Sequence, residues 1–120
     1  DAEMKDTDIS FIISGASGSR GGDRLELEAL REVFGARLSE IPVYSPKAAC
    51  GETLGAAGAL GVVAALLAFK RGQIPPTPAV EEVPADLRLS QEAQPCPGQA
   101  ALITGFSCDG NNAALILKQF

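Results

Sequence analysis

The residue types able to do chemistry gather in two stretches. One is a glycine-rich loop, Gly15-Ala16-Ser17-Gly18-Ser19-Arg20-Gly21-Gly22, that runs into Asp23 and Glu26; the other holds Lys47, Cys50 and Glu52 ahead of an uncharged segment. The chain contains no histidine. Ser-His-Asp and Cys-His catalysis, HExxH zinc sites and imidazole general bases are therefore excluded within it. Any chemistry here has to use carboxylates, lysine, thiols or the backbone, or has to be supplied from elsewhere. The small-residue loop invites a nucleotide reading, but its glycines fit neither GxxxxGK[ST] nor GxGxxG with an acid about 20 residues on. Asp23 would also repel a phosphate where one should sit. The cysteines, Cys50, Cys96 and Cys108, are odd in number and lack a CxxC spacing. That argues against a disulfide scaffold and a thiolate zinc knot, and fits a reducing cytosol. Cys50 has the type of a nucleophile, but a small buried thiol is the expected reading. Neither a metal nor a cofactor is expected.

The elements that position these residues are legible from hydrophobic pattern. At 120 residues the chain allows one domain, and 46% hydrophobic against 21% charged residues excludes a disordered tail. With 10 basic against 15 acidic residues and a net charge of −5, it lacks the basic footprint of nucleic-acid binding. Asp8 to Ser14 is a short apolar run rich in β-branched and aromatic residues, expected as a buried strand. Asp23 followed by Glu26 resembles a capping box, and Leu27, Leu30, Val33 and Phe34 then give an apolar helical stripe with Gly35 as its stop. Ile41 to Ser45 reads as a second strand. Residues 73–99 hold most of the prolines and are expected as a long irregular connection with a strand at Leu87 to Leu89. Ala101 to Phe106 and Ala113 to Leu117 flank Asp109-Gly110-Asn111 as a hairpin. The order β-α-β-α-loop-β-β predicts an α/β domain.

Thr53 to Phe69 carries no charge and is made largely of Gly and Ala. It falls short of the roughly 20 residues of a usual membrane span. A helix apolar on every side lies either in lipid or in protein. The polar flanks and the following Pro75-Pro76 favour burial in protein, so no membrane partner is expected. Lys70 and Arg71 suit the negative end of its dipole. The sequence starts at Asp1 without Met or a visible leader, which suggests a fragment, a processed product or one piece of a longer chain.

Four motifs in order resemble the C-terminal part of the β-ketoacyl-acyl-carrier-protein synthases, members of the thiolase-like superfamily. The family pattern HGTGT-x-x-GD-x-x-E reads GASGSRGGDRLE here from Gly15 to Glu26, and K-x-x-x-GH-x-x-x-AAG reads KAACGETLGAAG from Lys47 to Gly58. The proline pair lies inside GQIPPT, and FGFGGTNA reads FSCDGNNA from Phe106 to Ala113. The resemblance covers nearly the whole chain and roughly the final third of a usual synthase. It implies the C-terminal half of a layered α-β-α-β-α fold, with a mixed sheet and a buried Gly/Ala-rich helix, and makes residues 1–120 one half-domain.

The departures carry the functional expectation. In the family two histidines act with a cysteine nucleophile of the N-terminal half, donating hydrogen bonds to the thioester oxyanion and assisting malonyl decarboxylation. Their positions are Gly15 and Glu52 here, and neither Cys50 nor Cys108 matches the nucleophile. Losing one oxyanion donor typically costs about 3 to 4 kcal/mol of transition-state stabilisation, and an ionised Glu52 would add repulsion; a protonated Glu52 would donate one bond without replacing the first donor. Asp23, Glu26 and Lys47 match positions expected to form a polar network around the site and are read as structural. Phe106 and Cys108 match the two phenylalanines of FGFGG, Cys108 the one that gates the acyl pocket. The resemblance thus implies a degenerate partner subunit of chain-length-factor type that shapes an acyl tunnel in fatty acid or polyketide biosynthesis. It would act in the cytoplasm with an N-terminal half, a catalytic ketosynthase subunit and an acyl carrier protein. The alternatives are an acyltransferase of altered, non-decarboxylative chemistry using Glu52 as base with a cysteine from a missing N-terminal half, and a structural or interaction module.

Overall fold

The computed structural model describes residues 3–89, 91–107 and 109–119. After a 3-10 turn at Asp6–Asp8 come β1 (Phe11–Ile13), α1 (Arg20–Phe34), a 3-10 segment (Gly35–Glu40), β2 (Pro42–Tyr44) and the one-turn α2 (Lys47–Cys50). A 3-10 turn at Leu54–Ala56 leads into α3 (Ala57–Arg71), followed by β3 (Gln73–Ile74), β4 (Arg88–Leu89), β5 (Gln94–Pro95), β6 (Ala100–Phe106) and β7 (Asn112–Lys118). Five strands form one mixed sheet in the order β4-β2-β1-β6-β7, parallel except for the antiparallel β6–β7 pair.

Strand alternation sends side chains to two helical layers. Phe11 and Ile13 of β1, Tyr44 of β2, and Ala101 and Ile103 of β6 pack with Ala65 and Ala68 of α3. Ile12 and Val43 face the other way, against Leu30 and Phe34 of α1. Both faces of the central strands β1 and β2 are therefore covered, as parallel strands require, whereas β7 is largely exposed. Gly61 is what lets α3 approach: a Cβ there would stand 2.9 Å from Ile103 Cγ2. Phe69 closes the layer edge-to-face on Phe11, at 5.2 Å between ring centroids.

Four expectations need correction. The N-cap of α1 is Ser19, whose Oγ accepts from the Gly22 amide; Asp23 already lies in the first turn, so Asp23 and Glu26 do not form a capping box. The 73–99 stretch is less irregular than its prolines imply, because β3 and β5 pair antiparallel and Arg31 grips Asp86 with two hydrogen bonds of 2.5 and 2.8 Å. The uncharged helix is not buried on all faces by this chain. Only Gly61, Ala65 and Ala68 of α3 are buried, whereas Leu66 and Val63 are 51% and 49% exposed. The cause is geometric: the sheet meets one side of α3, and nothing among the described residues covers the other. Over Leu54–Arg71 the helix is long and apolar enough to cross a membrane by length and composition, with 17% of that window buried. Finally, Cys50 is exposed rather than buried, because the single turn of α2 stands off the core; its thiol donates to the Pro46 carbonyl at 3.1 Å.

Candidate functional site

Two corners hold the residues singled out above. The first is the C-terminal end of β1, where Gly15 follows Ser14. Glu26, one turn before Leu30 on the inner face of α1, is buried and 3% exposed. Its carboxylate accepts from Ser14 Oγ at 2.8 Å, from the Gly15 amide at 2.9 Å, and from Thr104 Oγ1. The Gly15 amide is shared with Thr104 Oγ1 at 3.1 Å, and Ser14 Oγ accepts from the Ala16 amide at 3.0 Å. A buried carboxylate is tolerated because three donors compensate its lost hydration. The network ties α1, β1 and β6 together at one point. Position 15 has no room for a side chain: a Cβ on Gly15 would lie 2.9 Å from the Thr104 carbonyl oxygen and 3.3 Å from Gly105 Cα, both backbone atoms. Asp23 serves the loop instead, accepting from the amides of Ser17 and Gly18 at 3.0 and 2.9 Å.

The second corner is the turn between α2 and α3. Lys47 Nζ donates to Glu52 Oε2 at 2.8 Å, while the Leu54 amide donates to Glu52 Oε1, also at 2.8 Å. Lys47 beside it, and then the Leu54 amide, hold the Glu52 carboxyl below its ordinary range, so it is ionised at neutral pH. Leu54 has φ +49, a left-handed backbone that side chains rarely adopt, and it is 81% exposed. Thr53 Oγ1 is buried beside it with no hydrogen-bond partner among the described residues.

A cleft of about 790 Å³ between α1, the ends of β1 and β2, and the 77–84 loop is lined by Asp23, Glu26 and Lys47 together with Ser14, Ser45 and Thr77. Gly15, Glu52 and Phe106 are not in its wall. Phe106 stands at the end of β6, in register with Asn112 across the hairpin. Cys108 lies outside the described residues. Sequence reasoning missed Ser14, Thr104, Ser45 and Thr77. Thr77 is 1% exposed and its Oγ1 accepts from the Ser45 amide at 3.2 Å. Thr77 had a signal, the last residue of GQIPPT; Thr104 had none, because its partner lies 78 positions away. No cluster of metal-ligating side chains occurs among the described residues.

A mixed sheet with one helical layer on each face, and a Gly/Ala helix closing on β1 and β6, is an architecture shared with the thiolase-like ketosynthases. The comparisons agree. The family model for "Beta-ketoacyl synthase, C-terminal domain" matches residues 1–81. A "Putative polyketide beta-ketoacyl synthase 2" of Streptomyces halstedii is 37% identical over 119 residues, 98% of this chain and 29% of that protein. Among solved structures, "The ishigamide ketosynthase/chain length factor" superposes with a TM-score of 0.86 at 30% identity, covering 98% of this chain and 29% of that one. The "PfaC Keto synthase-Chain length factor" gives 0.90 at 26% identity, covering 100% and 14%. The chain belongs to the family of the β-ketoacyl synthase C-terminal domain. It spans under a third of the length of the curated relative described here.

Proposed function

We propose that these residues are the C-terminal half-domain of a ketosynthase-like subunit of chain-length-factor type, which does not itself condense acyl units but shapes the acyl tunnel of a catalytic partner. The observation that carries this reading is the state of the two positions that resemble the family's histidines. Gly15 offers only a backbone amide, already engaged by Glu26 and Thr104, and Glu52 is an anion held by Lys47. Neither can donate a proton to a developing oxyanion, the interaction that usually contributes most to such catalysis. Similarity to two proteins named as ketosynthase with chain length factor supports the same assignment.

On this reading the partners are an N-terminal half, in the same or another chain, that covers the open face of α3; a catalytic ketosynthase subunit in a heterodimer; and an acyl carrier protein, in fatty acid or polyketide synthesis in the cytoplasm. The alternative acyltransferase, with Glu52 as general base, draws no support from a carboxylate whose pKa is lowered and whose oxygens are both engaged. The test is reconstitution of the full-length subunit with a catalytic ketosynthase and carrier protein. Product chain length should change when the subunit is added; an unaltered product distribution would count against the reading. Incubating the full-length protein with acyl thioesters checks the alternative, which requires a covalent acyl-cysteine.

A further inference from the structure

The cleft between α1 and the 77–84 segment takes no part in the reading of Gly15 and Glu52, neither of which is in its wall. Both ends of that segment are tied down. Thr77 Oγ1 accepts from the Ser45 amide at 3.2 Å; beyond Pro84, Arg31 grips Asp86 and Leu89 pairs with Val43. Between these anchors residues 78–84 form a strap, held at one further point where Gln91 Nε2 donates to the Val80 carbonyl at 2.6 Å. The space beneath, about 790 Å³, is of the size that takes a small organic ligand. Leu27, Leu30, Val43 and Leu89 line it on one side and Val80 and Val83 on the strap. One polar group of the wall is unspent: Thr77 is 1% exposed, and its hydroxyl hydrogen has no acceptor among the described residues.

Opposite charges face each other across this space. Arg20 and Arg24 stand on α1, Glu81 and Glu82 on the strap. Among the described residues Arg20, Glu81 and Glu82 form no ion pair, and Arg24 meets only Glu28, one turn on, at 3.6 Å. The other charged groups of the wall are taken: Asp23 by two amides, Glu26 by three donors and Lys47 by Glu52.

We propose that this cleft binds an uncharged, largely apolar small molecule carrying one hydrogen-bond acceptor, and that the strap closes over it as Glu81 and Glu82 pair with Arg20 and Arg24. Apolar walls on both sides favour a ligand that displaces water from them. The Thr77 hydroxyl supplies the donor for its acceptor. A carboxylate would instead meet Asp23 and Glu26, with every cation of the wall either paired already or drawn to the strap. Closure excludes water, and opposite charges attract more strongly as water leaves. The site does not rest on the function proposed above and survives its failure.

The experiment titrates the full-length protein with octanamide, an uncharged chain with one carbonyl acceptor, and follows binding by calorimetry at low and at molar salt. Saturable binding is expected, about fivefold weaker at molar salt although the probe has no charge, because screening acts on the closing ion pairs. The double variant Glu81→Gln with Glu82→Gln should bind about fivefold more weakly than wild type at low salt and lose the salt dependence. Val83→Trp, at a position 40% exposed, puts an indole into the cleft. It should abolish binding while the unfolding midpoint stays at the wild-type value. No saturable binding by wild type, or undiminished binding by Val83→Trp, would overturn the site. A wild-type affinity that ignores salt, or an equal salt response in the double variant, would overturn the closure. Octanoate binding more tightly than octanamide would overturn the uncharged class of ligand.

Discussion

The corners around Gly15 and Glu52 both resemble places where the family has a histidine, and they fill that place by different physics. At Gly15 the space is taken by backbone: the Thr104 carbonyl would stand 2.9 Å from any Cβ, and a buried carboxylate, Glu26, consumes the nearby donors. At Glu52 the space is taken by charge, an exposed carboxylate paired with Lys47. The first solution is built into the packing of three elements, the second into one turn of six residues from Lys47 to Glu52. Buried polar groups punish the loss of a partner, whereas exposed ion pairs are screened and contribute little. The two corners should therefore respond to substitution very differently.

The largest effect is expected at Glu26. Replacing it by Ala strands the Ser14 hydroxyl and takes the charged acceptor from the Gly15 amide, left with Thr104 Oγ1, and from the Thr104 hydroxyl, left with the Ile13 carbonyl at 3.4 Å; hydrogen bonds to charged groups contribute about 1.5–3 kcal/mol each. Denaturant unfolding of the full-length subunit should show Glu26→Ala destabilised by about 3 kcal/mol or more; a midpoint equal to wild type would mean that the network is not what joins α1 to the sheet. Next comes the open face of α3. If an N-terminal half covers it, Leu66→Asp in the full-length subunit should cost roughly the 1.5–3 kcal/mol that burial of a leucine supplies. The isolated 120 residues should self-associate through that face, as light scattering would show. A monomeric, cooperative unfolding transition of the isolated chain would contradict this.

Gly15→Ala tests the crowded corner directly. The added methyl has to displace backbone, so a loss of about 1–3 kcal/mol is expected, and Gly15→His should bring no gain of condensation. The smallest effect belongs to Glu52. Its folded pKa is lowered by Lys47, so the stability it contributes is complete above its ordinary value of 4.5 and is lost as pH falls through the lowered value. Unfolding midpoints of wild type and Glu52→Gln should therefore converge in acid and separate slightly at neutral pH. A separation that widens toward low pH has the wrong sign for the pair.

How much of this was legible in the sequence follows from the range of each interaction. Hydrophobic period revealed β1, β2, α1, α3 and the β6–β7 hairpin, because each pattern is contained in a few residues. Motif spacing brought out Glu26, Lys47 and Glu52, but not their partners. Thr104 reaches Glu26 across the sheet, and no local pattern announces that. The Lys47–Glu52 pair spans a turn in which Gly51 has φ +78, so helical spacing rules do not apply to it. The β3–β5 ribbon stayed hidden because two-residue strands carry no alternation, and Pro95 argues against a strand. Ser19 was overlooked as a cap because Asp23, four residues later, offered a stronger signal. The open face of α3 could not be read as open: all-round apolarity says that a helix is covered, not which chain covers it.

The claim on which the rest depends is that these two corners leave the subunit without a proton donor for condensation. The direct measurement is carbon–carbon bond formation from malonyl and acyl thioesters on carrier protein, by the full-length subunit alone and then with a catalytic ketosynthase. The account predicts background turnover from the subunit alone and a changed product length from the pair. Condensation by the subunit alone at the rate of an active ketosynthase would contradict it.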